Sequence, residues 1–486
     1  MKKLTGLFIV LMALVLGSYY AMGWLTERAL KKSIAIINQS NGVVLTILKD
    51  DRGWFTSHTD VKARIHIPTH MFKNDANQLV TFPEKEYELV LPMIIHHGPI
   101  IYTHHHFYFG FGFATLQASL PKEYSDYLDT VYTKDSTKPT LTLNLFVNYL
   151  GKTSFQLSIP QFELRSIDAQ KSFQWLGLES DVSVSYPSMQ LSGHVASKGA
   201  VLTQGSREVT IGPIESDYNL HSSDTGLYVG DAHVLLSSLR ILEAKQNVFA
   251  LQAFDLKSKS DIENQLFHST LSLSLDQVSK PNGVYGPAAL VLAVDNLDAP
   301  ILAQINRELS RMTPTSDQER QQLLLALLPK LPELLSHGAS INLSTLNVTL
   351  PEGLAQGHLS LSLPKENMPN PFQLIQKIKG DCMIDLPTQV LQKLLQTTLK
   401  QKILGTLELE KSAMHNNAST EASTPTPVTP ESIDEQALQQ AKEKIAGLLK
   451  AGLITTQGGH DHLDLQLNDA HLIVNGKPFT PSMLQF

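Results

Sequence analysis

Hydrophobic positions along this chain fall into three patterns. The first is an unbroken run from Leu4 to Leu25, LTGLFIVLMALVLGSYYAMGWL, with no charge in it. As a helix, about 22 residues reach ~33 Å, enough for a bilayer core of about 30 Å. Lys2 and Lys3 precede it, and Tyr19, Tyr20 and Trp24 lie at its far end, where aromatic rings favour the headgroup layer. The run predicts a single transmembrane helix over 4–25, with residues 1–3 in the cytoplasm. The rival is a cleaved signal peptide, since Lys2-Lys3, the apolar run and Ala21-Met22-Gly23 imitate its three regions. The retained anchor is preferred because the run continues into an amphipathic segment. Arg28, Lys31 and Lys32 flank the far end, so the positive-inside rule nearly cancels. The basic leader ahead of the first apolar run then places the bulk outside the cytoplasm.

The second pattern is alternation with a period of two. Val61, Ala63, Ile65 and Ile67 oppose Lys62, Arg64 and His66, which predicts the return strand of a hairpin turning at 49–53. Trp54 and Phe55 then start that strand on opposite faces, one of them in the core. From Thr140 to about Ala299, stretches such as LTLNLFVNYL, DVSVSYPSMQLSG and STLSLSLDQV alternate between glycine, asparagine and serine breaks. Short strands so spaced predict a long antiparallel meander, not βαβ units. The third pattern is helical spacing, over 299–312, 316–337, 387–404 and 431–450. Leucines crowd the second of these, and they predict a helix that covers a sheet. Ser412–Pro430, SAMHNNASTEASTPTPVTP, is too poor in apolar residues to order itself and reads as a disordered linker.

Together these predict an α+β, β-dominated fold: a transmembrane helix, then an antiparallel β-meander, curled or sandwiched, under a few amphipathic helices. The segments are 26–139 (β-rich), 140–299 (meander), 300–411 (helices and strands), 412–430 (linker) and 431–486 (closing helix and strands). At 486 residues the chain can bury a sizeable core. A net charge of -7, with no basic stripe, argues against nucleic acid as a partner. One cysteine, Cys382, rules out an intramolecular disulfide, and its apolar setting in CMIDL predicts a buried, inert thiol.

Four stretches carry a resemblance. Arg52-Gly53-Trp54-Phe55-Thr56-Ser57 after the apolar run, His97-Gly98-Pro99, Leu297–Arg311 (LDAPILAQINRELSR) and Leu463–Phe486 with its NGK turn occur in this order. In this arrangement the chain resembles the YdgA/YihF family of uncharacterised bacterial envelope proteins. The resemblance implies the bacterial inner membrane, a single pass and a periplasmic bulk. It carries no biochemical activity with it.

Motifs with their own chemistry are scarce. There is no nucleophile elbow, zinc-protease helix, Walker loop or dinucleotide fingerprint. Neighbouring histidines such as His96-His97 or those at 104–106 point to alternate strand faces and cannot converge on one ion. His460 and His462 share a face, with Asp461 opposed, but no partner cluster accompanies them. No catalytic, metal or cofactor residue is named. The residues singled out, Arg52, Gly53, Trp54, Phe55, His97, Gly98 and Pro99, read as structural devices. Gly53 would supply a left-handed turn, and Arg52 could alternatively hold an anionic headgroup. The function expected is a non-enzymatic periplasmic scaffold that binds itself or other envelope proteins. The alternative is a lipid-handling protein with a greasy β groove.

Overall fold

The computed structural model describes residues 2–38, 43–67, 70–73, 79–82, 84–103, 105–120, 122–185, 189–310, 325–366, 374, 376–416 and 430–480. It divides into two compact units, Met1–Asp261 with Leu302–Leu327, and Ile262–Ile301 with Leu328–Phe486.

The first unit opens with helix α1 (Lys2–Ile37). It continues through β1 (Val43–Arg52), β2 (Thr56–Ile67), β3 (His70–Lys73), β4 (Leu79–Phe82), β5 (Lys85–His97), β6 (Ile101–Thr103), β7 (His106–Tyr108) and β8 (Gly110–Ser119). After α2 (Lys122–Val131) come β9 (Thr140–Asn148), β10 (Lys152–Ile159), β11 (Phe162–Arg165), β12 (Lys171–Trp175), β13 (Leu178–Ser185) and β14 (Gln190–Ser197). Then follow β15 (Ala200–Gln204), β16 (Arg207–Ile211), β17 (Ile214–Ser222), β18 (Tyr228–Glu243) and β19 (Gln246–Glu263). Every pairing is antiparallel. One ladder runs β1-β2-β5-β8-β9-β10-β13-β14-β17-β18. The far half of β18 pairs with β16, which starts a second ladder, β16-β15-β12-β11.

The second unit holds β20 (Leu266–Lys280), β21 (Gly283–Tyr285), β22 (Ala288–Asp298), β23 (Ser340–Leu350), β24 (Gly353–Ser362), β25 (Lys379–Pro387), β26 (Thr455–Gln457), β27 (His460–Asn468), β28 (His471–Val474) and β29 (Lys477–Pro478). Its ladder is β20-β22-β23-β24-β25-β27-β28-β29. Asn475 and Gly476 both take positive φ in the last turn, as an Asn-Gly hairpin requires. Helix α3 (Ala299–Ser310) is started by Asp298, whose Oδ1 accepts from the Ile301 amide at 2.9 Å. Helices α4 (Thr388–Asn416) and α5 (Pro430–Lys450) pack on each other through Leu399, Ala437 and Ala441.

The transmembrane helix predicted at 4–25 is not what forms. No helix among the described residues is long and apolar enough to cross a membrane. The apolar run does become helical, but it is part of a longer helix whose second half belongs to the fold. Gly23, Thr26, Leu30 and Ile34 form one buried stripe at helical spacing. Leu30 and Ile34 join Val61, Met93, Ile95, Ala114, Leu116, Leu145 and Val147 in the core. Ahead of this docked part, Met12, Leu14 and Val15 are exposed. Tyr19 and Tyr20, expected at a headgroup layer, pack instead on Phe55 and Trp54.

Smaller differences have equally local causes. The first hairpin turns at 53–55, not 49–53, because Asp50 pairs with Thr59 across the ladder and accepts from its hydroxyl at 2.9 Å. Ser412–Asn416, placed in the linker, is the end of α4, and residues 417–429 lie outside the described residues. So do 311–324, most of the first half of the leucine-rich helix; its described remainder is a broken helix in which Leu325 and Leu328 are exposed and Leu334 is buried. Cys382 is half-buried rather than buried; burial, then Asp381 and Asp464, push its thiol up.

Candidate functional site

The seven residues singled out in the sequence meet around one stretch of α1, between Tyr19 and Glu27. The two motifs that supply them touch directly, for the His97 amide donates to the Phe55 carbonyl at 3.0 Å.

His97 ends β5 on the face that α1 covers, and its side chain is 1% exposed. Its Nδ1 lies 3.1 Å from the Tyr19 carbonyl, which can only accept, so Nδ1 carries the proton. Nε2, 3.2 Å from Ser57 Oγ, then accepts from that hydroxyl. Burial holds the imidazole below its ordinary pKa, against the Tyr19 carbonyl, which favours the charged form. A serine hydroxyl on a histidine is half of a nucleophilic dyad. Here Ser57 is 5% exposed and Gly23 of α1 lies over the ring, so the pair is sealed from any substrate. Both ring nitrogens are already committed, Nδ1 to the Tyr19 carbonyl of the helix and Nε2 to Ser57 of β2.

The close approach depends on missing side chains. A Cβ on Gly23 would fall 2.7 Å from the His97 ring, and one on Gly98 2.0 Å from the Tyr19 ring. Gly98 also sits at φ +139°, which side-chain-bearing residues rarely adopt. Pro99 offers its carbonyl to the Tyr149 hydroxyl, and the next carbonyl, of Ile100, accepts from Tyr19 at 2.9 Å.

Arg52 closes the clamp from the other motif. Its guanidinium donates to Glu27 Oε2 and to the Tyr20 hydroxyl, each at 3.1 Å, and stacks 4.8 Å above the Tyr20 ring. Glu27 also holds Lys31, and Lys31 first, then Arg52, lowers its pKa against the cost of burial. Gly53 is not left-handed. A Cβ there would lie 2.6 Å from the Thr56 carbonyl, to which the Gly53 amide itself donates at 2.9 Å. Trp54 and Phe55, of which one was expected in the core, are 58% and 51% exposed. Trp54 packs tilted against Tyr20 at 5.4 Å and Phe55 edge-on against Tyr19 at 5.0 Å.

Tyr19, Tyr20, Gly23 and Glu27 are the members that the sequence reading did not identify. Gly23 and Thr26, three residues apart at the end of the apolar run, were the available signal, since small residues at that spacing let a helix approach its neighbour closely.

Two further histidines singled out by their spacing are tied up elsewhere. His460 and His462 share a face as expected, and both pair with Asp385, at 2.6 and 3.3 Å. Asp461 points the other way, 3% exposed, and accepts from Thr388 and Thr456 beside the start of α4. No group of histidine, cysteine and carboxylate able to hold a metal is present among the described residues.

No curated protein and no solved structure matches the chain. A model of one protein family matches residues 1–482, nearly the whole length. The chain therefore belongs to DUF945, a family of bacterial proteins of unknown function.

Proposed function

We propose that this protein is a non-enzymatic interaction scaffold of the bacterial envelope, exported to the periplasm, whose first unit rests on a lipid surface. The likeness of its four motifs to the YdgA/YihF envelope proteins supports the compartment. The contact face is supported by one observation. Trp54, Phe55, Tyr102, Phe107, Phe109 and Leu150 are between 51% and 87% exposed, all at the end of the first unit where the clamp lies. The clamp's own bonds bring their loops together, from Phe55 to His97, Pro99 to Tyr149 and Ile100 to Tyr19. Exposed apolar groups gathered in one place mark interaction surfaces, and aromatic rings are the side chains that favour the headgroup layer. The uncharged part of α1 ahead of Tyr19 leaves the fold at this end, with Leu14 and Val15 exposed. In this reading it lies along the interface and does not cross it.

Flotation with phosphatidylethanolamine–phosphatidylglycerol vesicles tests the contact. The intact chain floats, and Trp54→Ala with Phe107→Ala leaves most of it behind at an unchanged melting temperature. Equal flotation of parent and double variant would remove the lipid face from the proposal. A cytoplasm-only reporter fused after Phe486 tests export and should stay dark.

A second reading, lipid handling on the strand faces, has its own support. Leu271, Leu273 and Leu275 of β20 alternate with polar residues, yet each is only half-buried.

A further inference from the structure

From Tyr87 onward strand β5 presents one largely apolar face, through Tyr87, Leu89, Leu91, Met93, Ile95 and His97. Helix α1 seals the end nearest His97, where Met93, Ile95 and His97 are buried. Tyr87 and Leu89, at the other end, are only half-buried. The helix available to cover them is α2. Its apolar stripe, Tyr124, Tyr127, Leu128 and Val131, has the spacing of a core-facing helix, yet Tyr124, Tyr127 and Val131 remain 40%, 65% and 36% exposed. The helix is held at its end and along its flank. The Ile167 amide donates to the Val131 carbonyl at 3.1 Å, and Lys138 binds Ser125 Oγ at 2.6 Å and Asp129 at 2.7 Å. Between α2, β5, β11 and β12 there remains an open cleft of about 440 Å³.

We propose that this cleft binds the acyl chain of a single-chain amphiphile. Tyr87, Leu89, Tyr127, Leu128, Phe162 and Phe173 are among its walls, and among the described residues the one charged residue lining it is Glu88. A polar ligand would lose its hydrogen bonds to water and gain few partners on walls that are almost wholly apolar. An alkyl chain loses nothing and buries apolar surface. The volume lies in the range of small-molecule sites. The open side lets a headgroup stay in water while its chain is covered. That headgroup is not read by charge. Glu88 is already paired with Lys62 at 2.6 Å and Arg64 at 3.2 Å, and Lys138, next to the lining Pro139, with Asp129. The cleft therefore recognises the chain and is indifferent to the head.

This site is independent of the proposed lipid-surface contact. Along extended β5, His97 lies nine residue steps beyond Glu88, ~30 Å along the strand, and a monomeric amphiphile needs no vesicle. The test is titration of the purified full chain with cis-parinaric acid, a fluorescent long-chain fatty acid, below its critical micelle concentration. Saturable fluorescence enhancement is expected, reversed equally well by palmitate and by palmitoyl-lysophosphatidylcholine. Tyr127→Glu, at an exposed wall position that the fold tolerates, should weaken binding about tenfold or more with an unchanged melting temperature. Leu89→Trp, which fills the floor, should do the same, while Trp54→Ala should bind like the parent. Absence of saturable binding overturns the proposal, as does displacement by palmitate alone. Parent-like binding by both cleft variants would place the ligand elsewhere and overturn it too.

Discussion

The two halves of β5 are the same strand with the same alternation, and they end in different states. At the His97 half, α1 descends until the Gly23 backbone rests against the His97 ring. At the Tyr87 half, α2 stands off and leaves a cleft. The difference lies in what the covering helix offers. Helix α1 presents Gly23 and Thr26 where it meets the strands, and then Leu30 and Ile34 that fill the core. Helix α2 presents Tyr124 and Tyr127, rings too bulky for close approach. Small residues in a stripe give a helix a seat, and large ones at the same spacing leave a gap. The meander extends the contrast. Between Arg207 and Asp298 the buried hydrophobic side chains are Leu227 and Val229, although the strands alternate as regularly as β5. Alternation specifies a strand and its two faces, while tight burial needs a matching element on top.

The largest expected effect sets a sealed leucine against an open one. Leu116 is 1% exposed in the α1 core, so Leu116→Ala should cost about 3–4 kcal/mol, as buried leucines do. Leu273 in β20 is half-buried, and Leu273→Ala should cost about 1 kcal/mol. Urea midpoints of the two variants measure the gap. Equal losses would mean that the meander leucines are packed as firmly as the core.

Next comes the seat itself. Gly98→Ala places a Cβ against the Tyr19 ring and forces a side chain into φ +139°, with an expected loss of about 2–3 kcal/mol. Gly17 lies in the same helix with nothing within 4 Å of an added Cβ. Gly17→Ala should instead be neutral or stabilise by up to about 1 kcal/mol, through helix propensity. A Gly98→Ala protein as stable as the parent would break the argument that contact with α1 fixes that glycine.

Much of the fold was legible in the sequence. The strands of the meander, the helix after Asp298 and the Asn475-Gly476 turn follow from period, cap and turn chemistry within a few neighbouring residues. The docking of α1 was not, because an uncharged helical run reads alike whether lipid or a sheet receives it. What separates them is a long-range fact, that Gly23 meets His97, 74 positions further along the chain. The same limit applied to the candidate site. Its residues could be picked out as motifs, but the helix residues that they grip carry no motif. Trp54 and Phe55 were misplaced for a related reason. Strand alternation puts one ring inward, but these two residues form the turn, where alternation has not begun.

A pH series sharpens the comparison without removing any contact. His97 is buried and its pKa is held below the ordinary value, so the unfolded chain takes up a proton that the folded chain refuses. Its contribution to stability is fully present above about pH 6.5 and declines as pH falls below that, until the folded-state pKa is reached. His97→Gln keeps a neutral side chain there and removes the titration. Its stability relative to the parent should therefore improve between about pH 7 and about pH 5. A constant difference across that range would show that the imidazole titrates alike in both states.

The smallest effect belongs to Arg52. It is the most conspicuous charge of its motif, and its contacts suggest a major role: two hydrogen bonds and a stacked tyrosine. Three facts reduce it. The pair with Glu27 is about a quarter exposed on each side, so solvent screens it. Glu27 keeps Lys31 when Arg52 is removed. And Nε of Arg52 is buried without a partner, a cost that truncation relieves. Arg52→Ala should therefore lower stability by less than about 1 kcal/mol. Because charge screening is part of that loss, the difference from the parent should shrink further in about 1 M salt. A loss as large as that of Gly98→Ala would mean that the guanidinium, and not the fit of small residues, holds α1 in its seat.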